Sequence, residues 1–388
     1  MTEQQRTFAV IVATATIFGL TYGLSGPLIA LELEEAGYSE GLIGLNGAMY
    51  ALGVLAAAPF LPRLFRQLGF GRLAKWALAA AGTLLMCFPF APVLWLWFPL
   101  RAALGSASET LFVVSESWLN QLADEASRGR MLAIYVTALS CGTALGPAIL
   151  TLVGRDESLA FLIGGACAFL ALLLLIFGRP KEAMPSGKAE KNLFRYLRLV
   201  PVAVASAALN AAVEAAGLSL LPIYAVRLGW PEQSATILLT ILLIGSIVSQ
   251  LPIGWLGDRM DRHKLLVCLA AFSAVGAIIW PFALAHEWLA YPLLFVWGGA
   301  FVGIYTTTIA ILGDRYEGGE LISIYALLSV AWGVGAFAGP LLSGLMMEMT
   351  VHGLALFAAV ACAGFALFAW VKPPESRSVS LSCGGSTS

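Results

Sequence analysis

The sequence predicts an all-α membrane protein, twelve transmembrane helices arranged as two pseudo-symmetric six-helix bundles. Three observations carry this. Of 388 residues, 59% are hydrophobic and only 12% charged, about half the charged share of an ordinary soluble domain. The apolar residues fall into runs of the length a helix needs to cross the hydrocarbon core, about 20 residues. Two local patterns recur in the second half at nearly one offset. Gly142-x3-Gly146-Pro147 reappears as Gly335-x3-Gly339-Pro340, and Gly37-Tyr38-Ser39-Glu40 as Gly229-Trp230-Pro231-Glu232. Repeats of this kind are what a duplicated helical unit leaves behind.

The apolar runs place spans near 8–31, 41–62, 72–91, 93–118, 130–153 and 158–178, then near 199–225, 233–253, 264–285, 288–312, 320–346 and 351–371. Pro89 and Pro92 separate the third from the fourth. Residues 1–178 are thus an N-terminal half and 199–371 a C-terminal half. Residues 179–198, with Pro180, Pro185, Ser186 and Gly187, read as a polar linker, and 372–388 as a tail without regular structure. Met1–Thr7 is short and polar, with no cleavable signal expected.

Orientation follows from Lys and Arg, which collect on the cytoplasmic side. Nineteen of the 22 fall on the side of the two termini, only Arg155 and Arg227 on the other, and Arg101 inside a span. Both ends are therefore expected in the cytoplasm and the protein in the cell inner membrane, surrounded by lipid and monomeric. Trp95, Trp97, Trp230, Trp288 and Trp370 lie near span ends, where an interfacial aromatic belt is expected. The net charge of −1 carries no nucleic-acid signal.

The ionisable residues within spans need a reason to be there, since each costs about 2.5–3.5 kcal/mol at mid-membrane on insertion scales. They are Arg101, Glu109 and Glu116 in the fourth span and Glu214 in the seventh. At 100° per residue Arg101, Gly105, Glu109 and Glu116 share one stripe, and Ser206, Asn210, Glu214 and Gly217 another. Both stripes should face a central wet cavity. Arg101 and Glu109 are eight residues apart, about 12 Å of helix rise, so their attraction is only about 1.4 kcal/mol at an effective dielectric near 20. They are not a tight pair. A desolvated carboxylate takes up a proton more readily, so Glu109 and Glu214, with Arg101 beside them, are the candidate proton-coupling groups. For Glu214 the plainer reading is a packing acid bonded to Asn210. Tyr22, Asn46, Tyr50, Asn210, Trp297, Tyr305, Thr306 and Trp332 are candidate lining residues, although an aromatic inside a bundle is often plain packing.

Between the eighth and ninth spans stands Gly254-Trp255-Leu256-Gly257-Asp258-Arg259-Met260-Asp261-Arg262-His263-Lys264. It resembles the G-x-L-x-D-R-x-[GD]-R-[RK] loop of the major facilitator superfamily. A positive-inside anchor alone explains the basic residues but not Gly254 and Asp258 at this spacing. The first-half counterpart, Pro59 to Lys75, keeps Arg63 and Gly69 but has Pro62 where an acid is expected. Arg101-x3-Gly105 resembles the family's fourth-span pattern with Leu104 in place of Gln, and Gly142-x3-Gly146-Pro147 resembles its antiporter motif. The copy at Gly339-Pro340 favours a packing-and-kink role for that motif. Glu116, with Arg128-Gly129 beyond it, resembles the family's cytoplasmic clamp. Ile43-Gly44-Leu45-Asn46, Glu116-Ser117-Trp118-Leu119-Asn120 and Gln250-Leu251-Pro252-Ile253-Gly254 resemble the YcaD-like branch.

The resemblance implies a secondary transporter moving a small organic solute by alternating access. Coupling to protons is expected, with export favoured over uptake of a nutrient or vitamin-like molecule. A non-transporting assembly factor or sensor on the same fold is the other alternative. It implies gating roles for Asp258, Arg259, Arg262, Glu116, Arg128, Gly146, Pro147, Gly339 and Pro340. No nucleotide loop, nucleophile motif or metal-spaced His/Cys cluster occurs in the sequence, so no enzyme activity, cofactor or metal is expected.

Overall fold

Each apolar run folds as a helix, because in hydrocarbon every backbone N–H and C=O must be satisfied within its own segment. The computed structural model describes residues 3–122, 128–153, 157–178, 196–316 and 318–372. Its helices are α1 (Glu3–Glu35), α2 (Glu40–Ala57), α3 (Leu61–Cys87), α4 (Leu94–Leu122), α5 (Arg128–Val153), α6 (Glu157–Gly178) and α7 (Pro201–Arg227). Then follow α8 (Glu232–Val248), α9 (Gln250–Gly257), α10 (Arg262–Ala283), α11 (Glu287–Gly313), α12 (Gly318–Met349) and α13 (Gly353–Val371). Most of the expected linker and tail lies outside the described residues.

Among the described residues, eleven helical segments are long and apolar enough to cross a membrane, with α8 and α9 counted as one. The twelfth is α4. At 29 residues it is long enough, but Arg101, Glu109 and Glu116 lower its mean hydropathy. The eighth span breaks at Ser249, between α8 and α9.

The second span ends at Ala57 instead of 62. Pro62 sits in the first turn of α3, where its missing N–H costs nothing, so the stretch expected to close one span opens the next. α3 then kinks at Gly69, whose φ is 71°. The turns before α2 and α8 are equivalent. Gly37 and Gly229, 192 positions apart, have φ of 80° and 95°, a left-handed conformation that glycine adopts without steric cost. The repeated sequence is thus a repeated turn. Ser39 then caps α2, accepting from the Leu42 N–H; in the second copy Pro231 stands there and offers no side-chain cap.

Helices in lipid gain nothing from excluding apolar surface from one another, so they associate through close packing of small residues. Within the first half, a Cβ on Gly142 or Gly146 of α5 would collide with the α1 backbone at Thr16 and Gly23. Within the second, Gly335 and Gly339 of α12 stand equally close to the α7 backbone at Ala208 and Ala212. Between the halves, Gly44 of α2 meets Pro340 O of α12, and Gly344 of α12 meets Glu40 O. α12 is therefore wedged between α7 and α2.

The end of the bundle away from the start of α1 is sealed by polar contacts across the halves. Arg227, ending α7, pairs with Glu40 and reaches Glu34 at 3.8 Å. The Gly41 N–H donates to Glu348 at 3.1 Å. Gln233 donates to the Thr151 carbonyl at 2.8 Å, and Thr151 and Thr236 share a hydrogen bond of 2.9 Å.

Trp95, Trp288 and Trp370 are about three-quarters exposed, as belt residues would be. Trp230 is not a belt residue. It is buried, donates to the Leu284 carbonyl at 2.7 Å and meets Tyr291 edge to face. Trp97 is half-buried, bonded to the Ala91 carbonyl.

The α2–α12 contact is expected to be the most sensitive packing in the bundle. Gly44→Val should lower stability by about 1–3 kcal/mol, the usual cost of overpacking. Gly254→Ala, with open space around its Cβ, should change it by less than about 0.5 kcal/mol. Melting temperatures of the two detergent-purified variants check this; equal melting would show that the helices separate freely.

Candidate functional site

Two cavities lie side by side between the halves, and Leu218 of α7 lines both. The first is built around Arg101. The α4 stripe turns this guanidinium inward, where it is 3% exposed and stands 5.0 Å over the Tyr50 ring. Tyr22 of α1 packs against Tyr50 at 5.4 Å and against Trp332 of α12 at 6.1 Å. Ala215 and Ser219 of α7 and Ala336 of α12 complete the wall from the second half. Among the described residues Arg101 Nε and Nη1 have no hydrogen-bond partner, nor does the Tyr22 hydroxyl.

The second cavity is built around Glu214. Asn210, one turn earlier on α7, donates to Glu214 Oε2 at 3.1 Å. Ser140 and Thr143 of α5 face them from the first half, and Ser246 and Gln250 close the side formed by α8 and α9. Trp297 shapes the apolar wall. Its indole N–H is committed to the Ser273 carbonyl at 2.8 Å, and its ring stacks on Phe301 and meets Trp280 edge to face. It therefore offers a surface and no polar handle. Tyr22 stands within electrostatic range of Glu214, which links the two cavities.

The residues expected to line one cavity thus divide. Tyr22 and Tyr50 join Arg101, with Trp332 tilted against Tyr22; Asn210 and Trp297 join Glu214. Asn46, 1% exposed and with no partner for its amide nitrogen among the described residues, lines neither cavity. Tyr305 also lines neither. It packs on a cluster with Leu312, Ile324 and Leu328 and comes within electrostatic range of Glu116. Thr306 bonds the Val302 carbonyl of its own helix. Glu109 is half-buried and within electrostatic range of Glu116, which is exposed at the end of the bundle where α1 begins. Arg101 and Glu109 form no ion pair, in keeping with their spacing. Among the described residues no group of three or more His, Cys, Asp or Glu could hold a metal ion.

In the loop motif Arg262 is the hub. It pairs with Asp258 at 3.1 Å and with Asp314, just past α11, at 2.6 Å, and it donates to the Gly257 and Ala310 carbonyls. A cation at the C-terminal end of α11 also complements that helix's dipole. Asp261 caps α10 by accepting from the Lys264 N–H at 2.8 Å. The Arg259 guanidinium lies 3.7 Å from the Trp255 ring centroid. All these partners belong to the second half. Gly254, small enough to let helices approach closely, has nothing within 4 Å of its Cβ position among the described residues. Arg128 lies in α5, but its side chain is outside the described residues, so the Glu116–Arg128 clamp is too. Asp314 and the far-end set of Glu34, Glu40, Arg227 and Glu348 were missed. Their charges sit at helix ends, where no sequence rule says which neighbours meet.

The major facilitator superfamily model matches residues 11–242 and 205–384. A Bacillus subtilis protein called uncharacterized MFS-type transporter YfkF is 27% identical over 88% of both chains. The uncharacterized MFS-type transporter YcaD of Salmonella dublin is 24% identical over 94% of this chain and 95% of its own. The fold is similar to that of a bacterial homologue of the human lysosomal transporter Spinster, solved in an inward-facing, unoccupied conformation, with TM-score 0.74 and 14% identity over 96% of this chain and 95% of that one. A D-xylose–proton symporter superposes with TM-score 0.74 and 15% identity over 95% of this chain and 98% of its own. The matches run the length of the chain, through both sets of spans and the Asp258–Arg262 loop, and the protein therefore belongs to the major facilitator superfamily, as a multi-pass membrane transporter and not an enzyme.

Proposed function

We propose that this transporter couples proton movement to export of a small organic solute across the inner membrane, by alternating access between its two halves. The observation that carries the reading is Glu214. Its carboxyl lines a cavity between the halves and is bonded by the Asn210 amide. No Lys or Arg pairs with it among the described residues, so its charge can change without breaking an ion pair. A proton arriving there changes the charge of the cavity wall and so biases which end opens.

With both termini in the cytoplasm, the end sealed by Arg227 and Glu40 faces the periplasm. The inter-half contacts run from that seal down to Leu55 against Gly333 and Tyr22 against Trp332. Beyond them Glu116 and Tyr325 are exposed. That arrangement fits a state open to the cytoplasm, from which an exporter loads. The relatives described as transporters favour transport over a purely structural or sensing role.

Metabolites that change between deletion and overexpression strains identify the solute, and proteoliposomes then test the coupling. Glu214→Gln is expected to retain solute exchange at near wild-type rate while losing accumulation driven by a pH gradient. If it still concentrates solute with the wild-type pH dependence, the coupling group is elsewhere, with Glu109 next in line. Inside-out against right-side-out vesicles separate export from uptake, since only one orientation accumulates solute under a given gradient.

The Arg262 hub yields a second expectation. Asp258 and Asp314 are largely exposed, at 73% and 60%, and pairs of that kind contribute about 0–1 kcal/mol. Asp258→Asn and Asp314→Asn should insert normally and slow transport by up to about fivefold, the rate equivalent of 1 kcal/mol. Wild-type rates in both inserted variants would remove this loop from the transport cycle.

A further inference from the structure

We propose that the cavity under Arg101 is a subsite for a carboxylate or comparable small oxyanion of the transported solute. The inference rests on reading the inter-half cavities as the solute path, and it names the chemistry that path accepts. Arg101 is buried to 3% exposure and lines the cavity, yet no carboxylate reaches it and its Nε and Nη1 have no hydrogen-bond partner among the described residues. A buried cation without a counter-charge is among the costliest arrangements a fold can keep. Among the described residues its electrostatic support comes from two tyrosines, Tyr50, whose ring lies 5.0 Å away, and Tyr22.

The unpartnered atoms around it are guanidinium nitrogens, which only donate, and the Tyr22 and Tyr50 hydroxyls, which donate as well as accept. Arg101 Nε and Nη1 and the Tyr22 hydroxyl can all donate, and the Ser219 hydroxyl stands on the opposite wall, from the second half. A pocket of donors around a fixed positive charge fits a group that only accepts, and a carboxylate has about four acceptor positions. The walls add flat apolar surface through Tyr22 and Tyr50, with Trp332 behind. Donors come from α1 and α4 on one side and α7 on the other. An oxyanion held there bridges the halves, which is where a transported group has to sit.

Formate is the probe, with formamide as its neutral isostere, methylammonium as its cationic counterpart and acetate as a carboxylate one methyl group larger. Melting of the detergent-purified full chain is followed by tryptophan fluorescence at constant ionic strength. Formate, and acetate more weakly, should raise the wild-type melting temperature by a few degrees and saturate, while formamide and methylammonium leave it unchanged. Arg101→Gln should abolish the carboxylate shift and Arg101→Lys retain a weaker one. Without any probe, Arg101→Met should melt no lower than wild type, because it removes a charge that has no partner. Failure of both carboxylates to shift the wild type, an equal shift with formamide, or a large loss of stability in Arg101→Met would each overturn the proposal, the last by showing that Arg101 is held by the protein itself. Glu214→Gln should keep the carboxylate shift, so a failure of the proton-coupling reading leaves this result standing, and the reverse holds too.

Discussion

The structure depends on the backbone-to-backbone approach of α12 to two helices at once. On one side Gly335 and Gly339 bring it against Ala208 and Ala212 of α7; on the other Pro340 and Gly344 meet Gly44 and Glu40 of α2. In lipid, dispersion between closely packed surfaces is the main attraction left to helices, and it falls away within an ångström of separation. Small residues at these crossings therefore set how near the halves come. They also set where α7 holds Glu214 and where α2 holds Tyr50, so the geometry of both cavities follows from them.

The polar contacts at the two ends of the bundle do different work. Arg227, Glu40, Glu34 and Glu348 join one half to the other, and any motion that opens that end has to break them. Arg262, Asp258 and Asp314 join α9 and α10 to the end of α11 within the second half. That network can travel as a unit when the halves rock. Its partners all belong to the second half, so a motion between the halves would leave them intact.

The fourth span shows how interior charge is accommodated. α4 has the length of its neighbours but not their hydropathy, because Arg101, Glu109 and Glu116 lie along it. The fold answers each by position. Arg101 is enclosed under two tyrosines, Glu109 is half-buried and Glu116 is exposed at the bundle end. A single helix thus runs from an enclosed Arg101 to an exposed Glu116.

The sequence by itself determined the spans, the duplication and the interior stripe. Hydropathy is a local property, summed over one crossing length, and the Gly37 and Gly229 turns are dictated by residues next to one another. The stripe of Arg101, Glu109 and Glu116 follows from helix periodicity alone. Only the tertiary structure decided which stripes meet. It separated Arg101 with its tyrosines from Glu214 with Asn210, put Trp230 inside where a belt residue was expected, and left Gly254 with room to spare. It also joined Arg262 to Asp314, 52 positions away. Those outcomes depend on the rotation and depth of one helix against another. Packing of side chains from distant segments sets both, and no window along the chain contains it.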